Sequence, residues 1–382
     1  MNGLRLGGRL LRHAQQTSKY TGRRLLSTSG RNAAAFAVAR PLVLGAITAA
    51  GVYGLYREVG GSDGLLQTVQ AAAKAGGTPQ PNVYSQTKDH AVYIWIHLNP
   101  DADFKACAKA AANLQQDVEA VSPAADSDED DEIWAGVGFG PKFYSQVWGK
   151  AKKSFTYPHR KGAHGDLPST GGDIFIHAKS NSVSKLYELT KRVIDQMPRA
   201  AVRDWSDTYS FVFRNGRDLS GFIDGTENRA DEDERFEVAV NKETGGSYCI
   251  TQRWIHKFDD IKKEKDATLS KFVGRSMDDS VELPVKPASS HVARMTGGHA
   301  FDHPKKFEIV RQSMPYGTVS GESGLFFIGF AAAPENFEFM LERMVGGGGG
   351  GDRVNDDIMR ITRAVSGTYW YFPPAEQLRK LQ

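Results

Sequence analysis

The sequence predicts an α+β fold built from two ferredoxin-like halves. Apolar runs of strand composition recur between residues 91 and 330 and do not alternate regularly with helical stretches, and the β-α-β…β-α-β order of the first half restarts in the second. In the first half, residues 91–98 (AVYIWIHL) read as a strand, and residues 102–121 have helical spacing with a high alanine content. The acidic run at 126–132 (DSDEDDE) predicts a solvated turn, followed by a strand at 133–139 and a short helix near 141–148. A strand at 173–178, a helix at 182–197 and an apolar run at 209–213 complete this half. The second half restarts with a strand at 246–255 and a helix at 259–272. Strands at 307–310 and 324–330 and a helix at 334–344 follow, and residues 346–351 form a flexible all-glycine loop.

Composition narrows the function classes. The chain has 382 residues, 40% hydrophobic and 24% charged, an ordinary globular balance. Its formal charge of +3 is unevenly placed. Residues 1–57 hold nine Lys/Arg and no Asp/Glu, which leaves 39 basic against 45 acidic residues in the rest. The basic character therefore belongs to the N-terminal segment, and no basic stripe points to nucleic acid. Cys107 and Cys249 are far apart and form no CxxC or CxxCH. That excludes a disulfide scaffold, a four-Cys zinc site and covalent c-type haem attachment.

The N-terminal segment reads as targeting sequence. Residues 1–31 are rich in Arg, Ser and Leu and lack acids, as mitochondrial transit peptides do. Residues 33–56 are apolar apart from Arg40 and read as an inner-membrane anchor or sorting signal, with a cleaved matrix peptide as the rival. Charge bias on insertion would keep Arg40 on the matrix side and turn the following domain to the intermembrane space. Residues 57–88 read as a linker, ahead of one domain at 89–374 with halves at 89–230 and 245–374.

Candidate chemistry lies in the second half. The stretch SGFIDGTEN, residues 220–228, sets Asp224 just ahead of Gly225 and past a probable strand. Asp-Gly is a common turn pair, so the bland reading is a bend. The sharper reading is an acid mounted to face a bound group. Of ten histidines, His97 and His177 lie in apolar strands and read as core, while His159 and His164 lie in a Pro/Gly loop and read as solvated. His299 and His303 have the i,i+4 spacing of a metal pair, but Gly297, Gly298 and Pro304 argue for a loop. His291 follows a proline turn and opens a semi-apolar run. Arg311 ends an apolar strand; buried there, it needs an anionic partner, and a surface salt bridge is the plain alternative.

In combination, SGFIDGTEN, SSHVAR, VRQSMPYG and LFFIGFAAAPENFEFMLERM resemble the dye-decolorizing peroxidases, close to the bacterial B-type branch. GGDIFIHAKS, VGRS and MRITRAVSGTYWYFPP also fit, so the resemblance runs from about residue 91 to 374. It implies a dimeric α+β barrel-type fold around one non-covalent haem b per subunit. It also implies a peroxidase that reduces H2O2 with small organic donors, and self-association. His291 matches the proximal iron ligand and Asp356 the acid that hydrogen-bonds it. Asp224 and Arg311 match the distal pair, Ser313 a polar neighbour of the peroxide pocket, and Arg275 the partner of a haem propionate. Arg229 stands where relatives usually carry proline, and is expected to lie outside the pocket chemistry.

Physical chemistry agrees with these roles. Uneven O–O cleavage needs a base that moves a proton between the two oxygens, and a fixed cation where charge develops. An imidazole whose far N–H meets a carboxylate is a stronger electron donor to iron. A haem carrier or sensor, the alternative of another class, would need His291 but not Asp224 and Arg311. Chlorite dismutase chemistry is a third reading, with no need for the distal acid.

Overall fold

Residues 76–124, 131–296, 307–347 and 353–382 are described here, from a computed structural model. All of them lie in the second of the chain's two compact units, which begins at Thr48. The predicted transit peptide and anchor, the pair His299 and His303, and most of the acidic turn and glycine loop lie outside the described residues.

The first half runs β1 (His90–Leu98), α1 (Phe104–Ala112), α2 (Leu114–Val121), β2 (Trp134–Phe139), α3 (Pro141–Trp148), β3 (Ile174–Ser180), α4 (Val183–Gln196) and β4 (Val202–Phe211). Its strands pair antiparallel in the order β4-β1-β3-β2. A helix α5 (Glu232–Ala239) leads to the second half: β5 (Ser247–His256), α6 (Phe258–Lys263), α7 (Asp266–Val273), α8 (His291–Thr296), β6 (Val310–Arg311), β7 (Met314–Gly317), β8 (Ser323–Ala331), α9 (Glu335–Met344), β9 (Thr362–Ala364), β10 (Thr368–Phe372) and α10 (Ala375–Arg379). Here the order is β10-β5-β8-β7, so the same ferredoxin-like arrangement occurs twice. Bridges Ser210↔Tyr316 and Phe139↔Tyr371 join the two sheets into a barrel within one chain, with β6 and β9 added at β8 and β5.

Burial on both faces explains why β1 reads as a continuous apolar run rather than an alternation. Val92, Ile94, Ile96 and Leu98 pack with Leu186, Leu189 and Val193 of α4. Ala91, Tyr93 and Trp95 point into the barrel, among Phe175, Phe326, Trp370 and Phe372. Helix α4 follows from its pattern: Leu186, Leu189, Thr190 and Val193 bury one face, and Ser182 caps it by accepting from the Lys185 N–H at 3.4 Å.

Four predicted elements change, among them the strand expected at 307–310, which covers only Val310–Arg311. The helix expected over 102–121 is two, broken at Asn113, whose backbone leaves the helical region (ψ 1°). That expected over 259–272 breaks at Glu264 and Lys265, which are extended; the charged run KKEKD offers no apolar face to hold a continuous helix there. Strand β4 starts at Val202 rather than 209, because residues 203–207 are exposed and carry no hydrophobic signal.

The predicted linker is corrected at its C-terminal end. Residues 76–88 belong to the folded domain, with Asn82, Val83, Tyr84 and Ser85 buried. Gln80 bridges Val137 and Pro373, donating to both carbonyls (2.8 and 3.0 Å) and accepting from the Val137 N–H (2.8 Å). Its Gly, Pro and Gln content signals only the lack of a regular element, not the lack of packing. Among the described residues no helix is long and apolar enough to cross a membrane.

Candidate active site

Strand alternation builds the site. On the outer face of β5, every second side chain (Ile250, Gln252, Trp254, His256) faces one cavity, joined by Leu325 and Phe327 of β8. Phe337, Leu341 and Met344 of α9 and Met295 of α8 close it from the helix side. Its wall is mostly apolar, and one side is open to solvent.

Two histidines line this cavity, and their hydrogen bonds separate them. His291 opens α8, and its Nδ1 lies 2.7 Å from Oδ2 of Asp356, which is fully buried. The other oxygen of Asp356 accepts from the Ile358 N–H at 3.0 Å, heading a short 3-10 turn. Backbone bonds from Asp356 to Met344 and from Asp357 to Ser289, each 2.9 Å, tie this turn to α9 and to the residues preceding His291. A carboxylate accepts, so Nδ1 carries a proton, and in the neutral ring Nε2 keeps its lone pair. No hydrogen bond reaches that Nε2 among the described residues. His256, by contrast, uses both ring nitrogens: Nε2 on Asp218 at 2.9 Å and Nδ1 on Thr362 at 3.0 Å. Only His291 has a nitrogen left for a ligand.

Arg311 also lines the cavity. Its backbone is bracketed by Asn228 of the SGFIDGTEN stretch, which accepts from the Arg311 N–H at 3.0 Å and donates to its carbonyl at 2.7 Å. Its Nη2 is buried with no hydrogen-bond partner among the described residues. What distinguishes it from other such buried nitrogens is that Arg311 lines the cavity, where a ligand acceptor could meet it. An imidazole with a free nitrogen, an apolar wall and an orphaned cationic donor together fit a haem.

The bend that carries Asp224 requires its glycines: Gly221 and Gly225 have φ of 101° and 75°, in the left-handed region. The Asp224 N–H donates to the Gly216 carbonyl at 3.0 Å, and its carboxylate accepts from the Gly225 N–H at 2.6 Å. Asp224 and Ser313 do not line the cavity. Asp224 lies close enough to the Tyr93 phenol to add to its raised pKa, whose main cause is burial. Ser313 accepts from the Ile328 N–H at 3.3 Å. Arg275 is outside the lining too. Its guanidinium donates to the Ser280 carbonyl at 2.7 Å and pairs with Glu227, which does line the cavity.

Arg229 is a correction. It lines the cavity rather than lying outside it, and its guanidinium binds both oxygens of Glu308 at 3.1 and 2.5 Å. What hid this is its partner, since Glu308 lies 79 residues away. The Asp218–His256 pair was also missed, although the even-numbered positions of β5 carried the signal. His177 is the expected core histidine: it is buried beside Asn82, and burial holds its pKa well below the usual value.

The Asp218–His256 pair makes a stability prediction. Burial raises the Asp218 pKa, but the charge and hydrogen bond of His256 outweigh it, so the net shift is below 3.8. A depressed carboxylate stabilises the fold above its unfolded pKa and loses that contribution as pH falls through the folded value. Asp218→Asn should therefore lower stability at neutral pH by about 1–3 kcal/mol. In urea titrations the gap from wild type should close below pH 3.8. A gap that stays unchanged well below pH 3.8 would mean that the charge contributes nothing.

Residues 215–377 match the family model described as Dyp-type peroxidase, C-terminal. A dye-decolorizing peroxidase of Mycobacterium tuberculosis is 31% identical over 225 residues, 55% of this chain, which spans 64% of that relative's length. One from Rhodococcus erythropolis is 30% identical over 254 residues, 64% of this chain and 73% of its own. Among solved structures, a dye-decolorizing protein from Vibrio cholerae superposes with a TM-score of 0.70 at 30% identity, over 79% of this chain and 99% of that one. A DypB variant from Rhodococcus jostii, solved in complex with heme, gives a TM-score of 0.70 at 26% identity, over 80% and 99%.

Proposed function

We propose that this chain, which belongs to the dye-decolorizing peroxidase family, is a haem peroxidase that reduces H2O2 and oxidises small organic donors. The observation that carries the reading is the free Nε2 of His291, backed by buried Asp356, on an apolar cavity that also holds the orphaned Nη2 of Arg311. His291 would hold the iron of a non-covalent haem b through Nε2, and the Asp356 carboxylate would fix the ring and its tautomer. When bound, haem supplies the redox chemistry that accepts two electrons' worth of oxidation from peroxide and passes it to donors.

The chain's own residues do the rest. Asp224, on its bend beyond the cavity lining, would relay a proton between the two peroxide oxygens and so assist the O–O cleavage that bound haem would support. The Arg311 guanidinium stabilises charge developing on the departing oxygen, and its missing partner is supplied by peroxide. By the resemblance Ser313 would add a hydroxyl to the pocket, although it stands outside the cavity lining with its Oγ accepting from the Ile328 N–H. For Arg275 to meet a propionate, as the resemblance implies, its guanidinium would have to leave Glu227 and Glu282, with which it is paired. The test is an absorption spectrum of the haem-loaded chain before and after H2O2, then after a phenolic donor. The expected result is a spectrum that changes with peroxide and returns with donor. A spectrum indifferent to peroxide would leave haem carriage as the function.

We also propose import into mitochondria, with the domain held at the inner membrane and facing the intermembrane space. The acid-free residues 1–31 and the apolar residues 33–56 support it. In mitoplasts, external protease should digest the domain. Digestion only after lysis of the inner membrane would place it in the matrix.

A further inference from the structure

Strand pairing is interrupted beside Arg311. The pairs Arg311↔Gly329 and Met314↔Phe326 keep one register, so in an unbroken ladder Gln312 and Ile328 would exchange two backbone bonds. One of the two is present: the Gln312 N–H donates to the Ile328 carbonyl at 3.0 Å. The return bond is replaced, because the Ile328 N–H donates to Oγ of Ser313 at 3.3 Å. The Gln312 carbonyl faces the Tyr93 hydroxyl instead, 3.4 Å away. Gln312 and Ser313 have left the sheet, and side chains take over its work. Gln312 is buried, and both ends of its amide are engaged. Nε2 donates to the carbonyls of Asn82 (2.8 Å) and Val83 (3.1 Å), and Oε1 accepts from Nζ of Lys179 at 2.6 Å. Lys179, on β3 and only 1% exposed, also donates to the carbonyls of Ser85 (3.0 Å) and Gln86.

We propose that Lys179 and Gln312 are positioning residues for Arg311, holding the interrupted strand so that the guanidinium stays in the cavity. Neither lines the cavity itself. A buried ammonium is costly unless its donors are met, and a charged donor makes stronger bonds than a neutral one. Here that strength is applied to the one residue between Arg311 and Ser313, while Asn228 holds the Arg311 backbone. Without the amide and the cation, residues 312 and 313 would keep only one ladder bond and the Ser313 hydroxyl. Arg311 is the adjoining residue, so slack there moves its side chain. The inference rests on the haem peroxidase reading and adds to it two residues that touch neither the cavity nor its contents.

Gln312→Met and Lys179→Met keep the length of each side chain and remove its polar bonds. Haem-loaded, each should keep wild-type haem affinity and the His291-ligated spectrum. Each should react with H2O2 about tenfold to a hundredfold more slowly, since a misplacement of about 1 Å can cost 10²-fold. Two further readouts separate positioning from a general structural role. Fluoride binds ferric haem iron and accepts a hydrogen bond, so its affinity, read from the absorption spectrum, reports where the guanidinium sits. That affinity should fall about tenfold in both Met variants and in Arg311→Leu, as expected for one lost charged hydrogen bond. In an Arg311→Leu background, Gln312→Met should add nothing to either loss, because the residue it positions is gone. Circular dichroism checks folding, and the two variants lie on different strands, so either one tests the proposal. Wild-type rate and fluoride affinity in the Met variants, with Arg311→Leu impaired, would overturn this inference alone. Losses that add in full to those of Arg311→Leu would overturn it as well. Wild-type behaviour of Arg311→Leu itself would instead strike the role of Arg311 in the peroxidase reading, and this inference with it.

Discussion

His291→Ala is expected to weaken haem binding by about a hundredfold or more and to abolish the histidine-ligated spectrum. The magnitude follows because even a partner of a metal-bound histidine typically contributes 10–100-fold, and here the ligand itself is removed. Both cavity histidines must be compared. His256 has each ring nitrogen engaged, on Asp218 and Thr362, so it cannot replace His291 without breaking a buried pair. The substitution also strands the fully buried Asp356, so a modest loss of stability, about 1–3 kcal/mol, should accompany it. Circular dichroism separates that loss from unfolding. Asp356→Asn should keep haem with weaker affinity, because its amide still accepts from the ring but carries no charge. His299→Ala and His303→Ala should leave the spectrum unchanged. If either of those abolished it while His291→Ala did not, the ligand assignment would be wrong.

How much of this was legible follows from what sequence patterns report. Strands β1, β3, β5 and β8 were readable because burial on both faces leaves long apolar runs, and the repeated order gave the two halves. Strand β4 was half lost, since its exposed residues 203–207 have no core to signal. The packed segment at 76–88 was misread because irregular backbone stitched by side chains such as Gln80 has no period to detect. At the site, Asp224, His291 and Arg311 were assigned through the resemblance of their motifs; the glycine bend, proline turn and strand end around them also fitted plainer readings. Arg229, Asp218 and His256 were not. Their roles arise from pairings across 79 residues (Arg229 to Glu308) and 38 residues (Asp218 to His256), and only the folded chain makes these.

Substitutions at the distal pair should spare haem binding and slow the reaction with peroxide. Removing one electrostatic or proton-transfer contribution of this kind typically costs about 10²–10⁴ in rate. Arg311→Leu is expected to be the more damaging. Its guanidinium lines the cavity, is held in place by the two bonds from Asn228 to its backbone, and keeps a buried N–H without a partner among the described residues. Leucine supplies neither charge nor donor, and no water can supply a fixed cation. Asp224 stands on a bend beyond the cavity lining, its carboxylate already accepting from the Gly225 N–H. In Asp224→Ala a water can enter and carry the proton, so part of the rate should survive. Stopped-flow mixing with H2O2, followed at the haem absorption band, measures both variants against wild type. Equilibrium haem titration on the same preparations shows whether the cofactor is retained. Wild-type rates in both variants, with haem bound, would remove the case for a peroxidase working through this pair.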